Sequence, residues 1–118
     1  GKLLYYDDDY EAANTVIRYD PIGDAWQAVA PMTTRRIIPV AAVLAGRLYV
    51  VGGNDGNQVL SSVERYDPAT DSWEAIAAMP SPRFGASAAV LGGRLYVIGG
   101  VTYAIPACSL SYSSSVKP

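Results

Sequence analysis

Gly46-Arg47-Leu48-Tyr49-Val50 returns as Gly93-Arg94-Leu95-Tyr96-Val97, and the same offset of 47 residues (93 − 46) runs down the chain. Tyr19-Asp20-Pro21 comes back as Tyr66-Asp67-Pro68, Trp26 as Trp73, Met32 as Met79 and Arg36 as Arg83. Repetition at this interval means that one supersecondary unit is used several times, since a single unit cannot bury its apolar face alone. The 118 residues hold about two and a half such units (118/47).

Working outward from the quoted stretch, Pro39 to Leu44 and Arg47 to Gly52 are apolar runs joined by Ala45-Gly46, and Gly92-Gly93 is the matching joint. Two-residue joints with glycine predict tight hairpins, because the turns that fit strand twist need positive φ. The first run is built from small residues, Val40-Ala41-Ala42-Val43 and then Gly85-Ala86-Ser87-Ala88-Ala89-Val90. Small side chains suit the innermost strand of a radial array. Leu48-Tyr49-Val50-Val51 is apolar at consecutive positions, as expected where both faces of a strand are covered. Ser62 to Tyr66 and Trp73 to Ile76 mix polar with apolar residues and predict outer strands partly facing water. Asp67-Pro68-Ala69-Thr70-Asp71 between them has an Asp acceptor and a Pro that presets φ, so it predicts a turn. Each unit is then four antiparallel strands with no helix. The expected fold is an all-β propeller segment whose ring is incomplete in this chain, since propellers close with roughly four to eight blades.

Gly52-Gly53, then Tyr66, then six residues, then Trp73 resembles the kelch repeat, and Tyr19 to Trp26 keeps the same gap. The resemblance covers nearly the whole chain and divides it into a partial blade at 1–32, a complete blade at 33–80 and a partial blade with a degenerate tail at 81–118. Tyr19, Trp26, Tyr66 and Trp73 read as packing residues, and Gly52, Gly53, Gly99 and Gly100 as backbone freedom at strand ends. Two departures stand out. Leu3-Leu4-Tyr5-Tyr6 runs into Asp7-Asp8 where the pattern has Gly-Gly, and Leu110-Ser111-Tyr112 is followed by no tryptophan.

Half of the residues are apolar and the net charge is −2, which argues against nucleic acid as a partner. The longest mostly apolar stretch, Ile37 to Gly53, falls short of a membrane span, and no secretory signal pattern opens the chain. A Gly at position 1 reads as an excised or processed piece. Cys108 is the single cysteine, so no internal disulfide forms; a reducing compartment such as the cytoplasm is compatible. There is no histidine, which removes the commonest general base and the commonest metal ligand together. Asp7-Asp8-Asp9 with Glu11 fails the EF-hand spacing, because Ala12 stands where glycine is needed and Arg18 where the bidentate glutamate belongs. Cys108 has no basic neighbour to activate it. The expectation is a protein that is not an enzyme and holds no metal or cofactor.

What remains is surface. The loop Asn54-Asp55-Gly56-Asn57-Gln58, with Arg35, Arg36 and Arg83 ahead of the innermost strands, is expected around one mouth of the ring, with Asn54, Asp55, Asn57 and the three arginines as partner contacts. Arg36 and Arg83 have two roles open to them: bonding carbonyls to knit blades, or facing a ligand. The resemblance to the kelch domains of ubiquitin-ligase adaptors with BTB and BACK domains implies a module that binds a protein or peptide, with arginines at such positions facing an acidic segment. Two further readings stay open: a piece of a kelch-type carbohydrate-active protein similar to bacterial sialic-acid mutarotases, or a truncated remnant. An open arc that bares a few hundred Å² of apolar surface on each end face forgoes on the order of ten kcal/mol, comparable to a whole domain's stability. Self-association, or membership of a larger propeller, is therefore expected.

Overall fold

The computed structural model describes residues 11–102, and every described element is a five-residue strand. The strands are β1 (Val16–Asp20), β2 (Ala25–Val29), β3 (Val40–Leu44), β4 (Arg47–Val51), β5 (Val63–Asp67), β6 (Ser72–Ile76), β7 (Ser87–Leu91) and β8 (Arg94–Ile98). They form three antiparallel sheets: β1-β2, the four-stranded β3-β4-β5-β6, and β7-β8. The described residues are thus all-β, one four-stranded antiparallel sheet between two hairpins that repeat its parts, as expected of a propeller segment. Leu3 to Tyr6, Asp7 to Asp9, Cys108 and Leu110 to Tyr112 lie outside the described residues.

The hairpin turns follow from the residues that make them. Ala45 and Gly46 sit at φ 53° and 77°, and the register pairs Leu44 with Arg47 across them. Between β5 and β6 the Asp67 carboxylate accepts the Ala69 N–H at 2.9 Å, and Asp71 closes the turn at φ 51°. Asp20 repeats the first of these bonds with the Ile22 N–H at 3.0 Å. All four strands of the central sheet run in sequence order, so the β3-β4 and β5-β6 hairpins share one end of the sheet. The β4-β5 loop and the segment entering β3 share the other.

Tyr49, Val51 and Val63 form the centre of the core, packed by Val40, Leu44, Ile76 and Met79 of their own unit and by Leu95 and Val97 of β8. The core thus lies between the central sheet and the β7-β8 hairpin. β4 is buried from Tyr49 to Val51, as its unbroken apolar run requires. β5 departs from expectation. The mixture of charged and apolar residues predicts an outer strand partly facing water, with Tyr66 packed; Arg65 and Asp67 are half-buried and Tyr66 is buried, but Val63 and Glu64 are buried too, with Glu64 only 1% exposed. The reason is an internal partner for its carboxylate, described below.

Gly52-Gly53 marks the point where the next unit crosses. Gly53 N–H donates to the Arg83 carbonyl at 2.9 Å, Arg83 N–H to the Leu60 carbonyl at 3.1 Å and Gly85 N–H to the Ile38 carbonyl at 3.1 Å. A Cβ on Gly52 would lie 2.2 Å from the Arg83 carbonyl oxygen, with φ at +65°. A Cβ on Gly46, also at positive φ, meets nothing within 4 Å. Gly52→Ala should therefore lower stability by more than about 3 kcal/mol, and Gly46→Ala by only about 1–2 kcal/mol, the cost of left-handed backbone alone. Urea midpoints of the two variants measure the difference; equal losses would show that the crossing tolerates a methyl group.

Candidate functional site

Arg36 stands in the segment between β2 and β3, and its side chain turns inward. Its whole set of five N–H donors is used. Nε and Nη2 bond Glu64 Oε2 at 3.2 and 3.0 Å, Nη1 bonds the Gly52 and Ser62 carbonyls at 2.8 and 3.0 Å, and Nη2 also reaches Ser62 Oγ at 3.1 Å. Glu64 completes its own shell with Thr33, whose N–H and hydroxyl donate to Oε1 at 2.8 and 3.0 Å. Both charged side chains are 1% exposed. Burial of two charges is tolerated only when each is paired and every remaining hydrogen-bonding position is filled, and here both conditions hold.

This geometry corrects one expected contact. Arg36 does not line the mouth of the ring; it knits the segment before β3 to the end of β4 and the start of β5. Arg83 repeats one of its bonds, Nη1 to the Gly99 carbonyl at 2.8 Å, and is half-buried. Sequence reading missed Glu64, Ser62 and Thr33. A lone carboxylate in a strand reads as a solvated face, and the Glu64 position is Ile17 one unit earlier, so the repeat gives no signal.

Arg35, one residue away, points outward. Its Nη1 donates to the Ala12 carbonyl at 3.3 Å, and the residue is exposed. Arg35, Glu11, Ala12, Asp55, Gly56 and Asn57 line an open recess of about 340 Å³. The recess lies between two successive loops that reach the same end of the sheets, with Arg35 at the seam.

The 54–58 loop is held by its own side chains. Asn54 Oδ1 accepts the Gly56 N–H at 2.7 Å, and Asp55 Oδ1 accepts the Asn57 and Gln58 N–H groups at 2.8 and 3.0 Å. These amides, Asn57 first, hold the Asp55 carboxyl below its ordinary range. Asn54 is also bridged through its backbone to Ile37, at 2.7 and 2.9 Å. So the structure brings Arg35, Asp55 and Asn57 to one recess, makes Asn54 a loop support, and places Arg36 and Arg83 elsewhere. Among the described residues no three His, Cys, Asp or Glu side chains gather as a metal site, and no helix is long and apolar enough to cross a membrane.

The aromatic pair is a second joint between units. Tyr66 and Trp73 lie side by side, ring centroids 5.1 Å apart, in the register pair of β5 and β6. Trp73 Nε1 donates to the Ala30 carbonyl at 2.7 Å, while Asp71 Oδ1 accepts the Ala30 N–H at 3.0 Å and the Tyr66 hydroxyl at 2.7 Å. One residue of the preceding unit, Ala30, is thereby held through both its N–H and its carbonyl. Tyr19 and Trp26 keep the contact, at 5.4 Å, but Trp26 is 66% exposed, because no described residue covers it as Ala30 covers Trp73.

A four-stranded antiparallel unit flanked by hairpins that repeat its parts, joined to them by glycine crossings and by the hydrogen bonds to Ala30, defines a β-propeller repeat protein. The kelch motif model matches residues 39–80 and 82–116, more than half of the chain. The chain belongs to the kelch-repeat family. It is 45% identical over 49 residues to Kelch-like protein 4 of Homo sapiens, which is 42% of this chain and 7% of that protein. It is 51% identical over 47 residues to the influenza virus NS1A-binding protein homolog of Mus musculus, 40% of this chain and 7% of that one. Among solved structures, that of YjhT superposes with a TM-score of 0.63 at 34% identity, covering 66% of this chain and 24% of its own. The chain thus spans a small part of the length of each relative.

Two predictions test the joints. Arg36→Met leaves a buried carboxylate unpaired and should cost about 3–5 kcal/mol, whereas Arg36→Met with Glu64→Leu should recover much of the loss. Chemical denaturation of the single and double variants checks this, and a double variant no better than the single would refute it. The second concerns acid. The Ala30 N–H first, and then the Tyr66 hydroxyl, hold the Asp71 carboxyl below its ordinary 3.8. Its stabilisation is complete above that value and is lost as pH falls below it, because the unfolded chain takes up the proton first. Asp71→Asn should flatten the acid limb of the thermal midpoint against pH; an unchanged limb would show that other carboxylates carry it.

Proposed function

We propose that the chain is a protein-interaction module that receives a partner segment at the recess around Arg35. The observation that carries this reading is the contrast between neighbours: Arg36 spends all five donors inside the fold, while Arg35 is exposed at a recess with only one described bond. Its remaining donors suit a carboxylate, which a guanidinium meets in a planar fork. Glu11 and Asp55 flank it, so the favoured partner is a segment that sets an acidic side chain on Arg35 while basic or amide groups meet the flanking carboxylates. Asn57 and Gln58, exposed on the loop, offer side-chain amides to a partner backbone. The loop is held by its own Asx-type hydrogen bonds, so little ordering is needed on binding.

The kelch-like relatives support the reading, and one of them is named for binding another protein. A role as a substrate adaptor is the form this module would take in a longer chain that also carries the adaptor's other domains. The proposed role is recognition, with no covalent step assigned to any residue.

A peptide library selected against the chain should enrich segments with an acidic residue, and Arg35→Ala should weaken those peptides about tenfold, the scale of one charge-assisted contact. Calorimetric titration of a selected peptide measures it. Enrichment without an acidic residue, or affinity unchanged in Arg35→Ala, would overturn the assignment.

A further inference from the structure

Ile38 holds a backbone conformation that its side chain opposes. Its φ is 50°, in the left-handed region, and Gly85 takes the same place one unit later (38 + 47) at φ 68°. Glycine enters that region freely, whereas an L side chain crowds the following carbonyl there. Isoleucine is a poor replacement twice over. It is branched at Cβ, and it precedes Pro39, whose ring pushes the preceding residue towards extended backbone. The other described non-glycine residues at positive φ are milder cases: Ala45 is small, and Asp24 and Asp71 close hairpin turns, where aspartate tolerates the left-handed region.

The surrounding backbone imposes the conformation. Arg36 N–H is on the Ala13 carbonyl, Ile37 N–H and carbonyl are both paired with Asn54 at 2.7 and 2.9 Å, and the Ile38 carbonyl accepts the Gly85 N–H at 3.1 Å. The path from Arg36 to β3 is thus fixed on both sides of Ile38, and in the next unit a residue without a side chain fills the same place. Packing among the described residues does not offset the strain. Ile38 is 54% exposed and stands apart from the cluster around Tyr49, Val51 and Val63. An exposed isoleucine alone means little. One kept exposed on a strained backbone is a different matter, because such strain persists where a ligand is clamped.

We propose that Ile38 is a specificity-determining residue for the partner segment received at Arg35, and that it takes an apolar side chain of that segment. The assignment rests on the reading of the Arg35 recess as a binding site. Both residues belong to the stretch between β2 and β3, at the end of the sheets shared with the 54–58 loop. Arg35 stands at the seam with the preceding unit. The Ile38 Cγ2 lies 3.9 Å from the point that a Cβ on Gly85 would occupy, so this side chain stands at the seam with the following one. Three residues of extended chain span at most about 10 Å, so a partner that sets its acidic residue on Arg35 reaches Ile38 within about three residues of its own. Arg35 supplies directional, charge-assisted hydrogen bonds, and Ile38 supplies apolar area that favours contact without water. A side chain on a fixed backbone also loses little freedom on binding. The two residues between them offer less: Arg36 is buried on Glu64, and Ile37 is half-buried beside Asn54.

Three variants test the assignment. Ile38→Gly copies the next unit, Ile38→Asn puts a polar residue that enters the left-handed region readily, and Ile38→Leu stays apolar without the branch at Cβ. Peptides selected against the chain should carry an apolar residue within about three positions of the acidic one. In calorimetric titration such a peptide should bind about five- to tenfold more weakly to Ile38→Gly and Ile38→Asn, the scale of a half-exposed aliphatic side chain becoming buried. Ile38→Leu should bind it nearly as well as the unaltered chain. Urea midpoints of Ile38→Gly and Ile38→Asn should rise, since the strain is gone. Midpoints that rise in neither would show that the chain itself covers and uses this side chain, which overturns the proposal. So would unchanged affinity in Ile38→Gly and Ile38→Asn, or selected peptides without the apolar residue. Arg35→Ala is read on the same peptide: weakening there alone refutes the role of Ile38, and weakening in Ile38→Gly alone refutes the role of Arg35 while that of Ile38 stands.

Discussion

The buried pair of Arg36 and Glu64 is the constraint on which the rest of the central blade depends. Three pieces of chain meet at it: the segment entering β3 through Arg36 and Thr33, the end of β4 through the Gly52 carbonyl, and β5 through Ser62 and Glu64. Apolar packing fixes the sheet but not the path of chain between strands, because apolar contacts are not directional. Seven hydrogen bonds to two charged groups are directional, and a misplaced member leaves a buried charge unsatisfied. A well-packed apolar pair could be as stable. What the ionic pair adds is a fixed position for the backbone on either side of it.

That fixed backbone is why two adjacent arginines differ. Arg36 is anchored with its side chain inward and its N–H on the Ala13 carbonyl. Arg35 must then project away, into the seam between successive loops. The neighbouring 54–58 loop starts at Gly53, beside the same pair, so its distance from Arg35 is set by the clamp as well. The recess is a consequence of how the blade is held together.

Much of this was legible in the repeat and part was not. The hairpins at Ala45-Gly46 and Gly92-Gly93, the four-strand unit and the glycine crossings follow from local chemistry that recurs, and β3 to β6 fall within a residue or two of their expected bounds. In β5 the burial of Glu64 was not foreseen, because pattern reasoning assigns a charged residue to water. Nothing local tells that Glu64 has an arginine waiting 28 residues upstream. The difference between Arg35 and Arg36 was available, however. Arg36 recurs as Arg83, while the counterpart of Arg35 is Pro82.

That contrast separates scaffold from recognition without any other sequence. A position held the same in successive units meets the same surroundings in each: the arginine on a Gly52 or Gly99 carbonyl, the tyrosine beside its tryptophan, the aspartate that closes the turn. A position that changes between units is released from that duty. Arg35 becomes Pro82, and Asn54-Asp55-Gly56-Asn57 becomes Val101-Thr102-Tyr103-Ala104. The recess is therefore built from the residues that the blade does not require, set on a frame made of those that it does. A surface whose chemistry can vary while the frame stays rigid is the arrangement that recognition needs, since loops on a fixed scaffold bind without first having to be ordered.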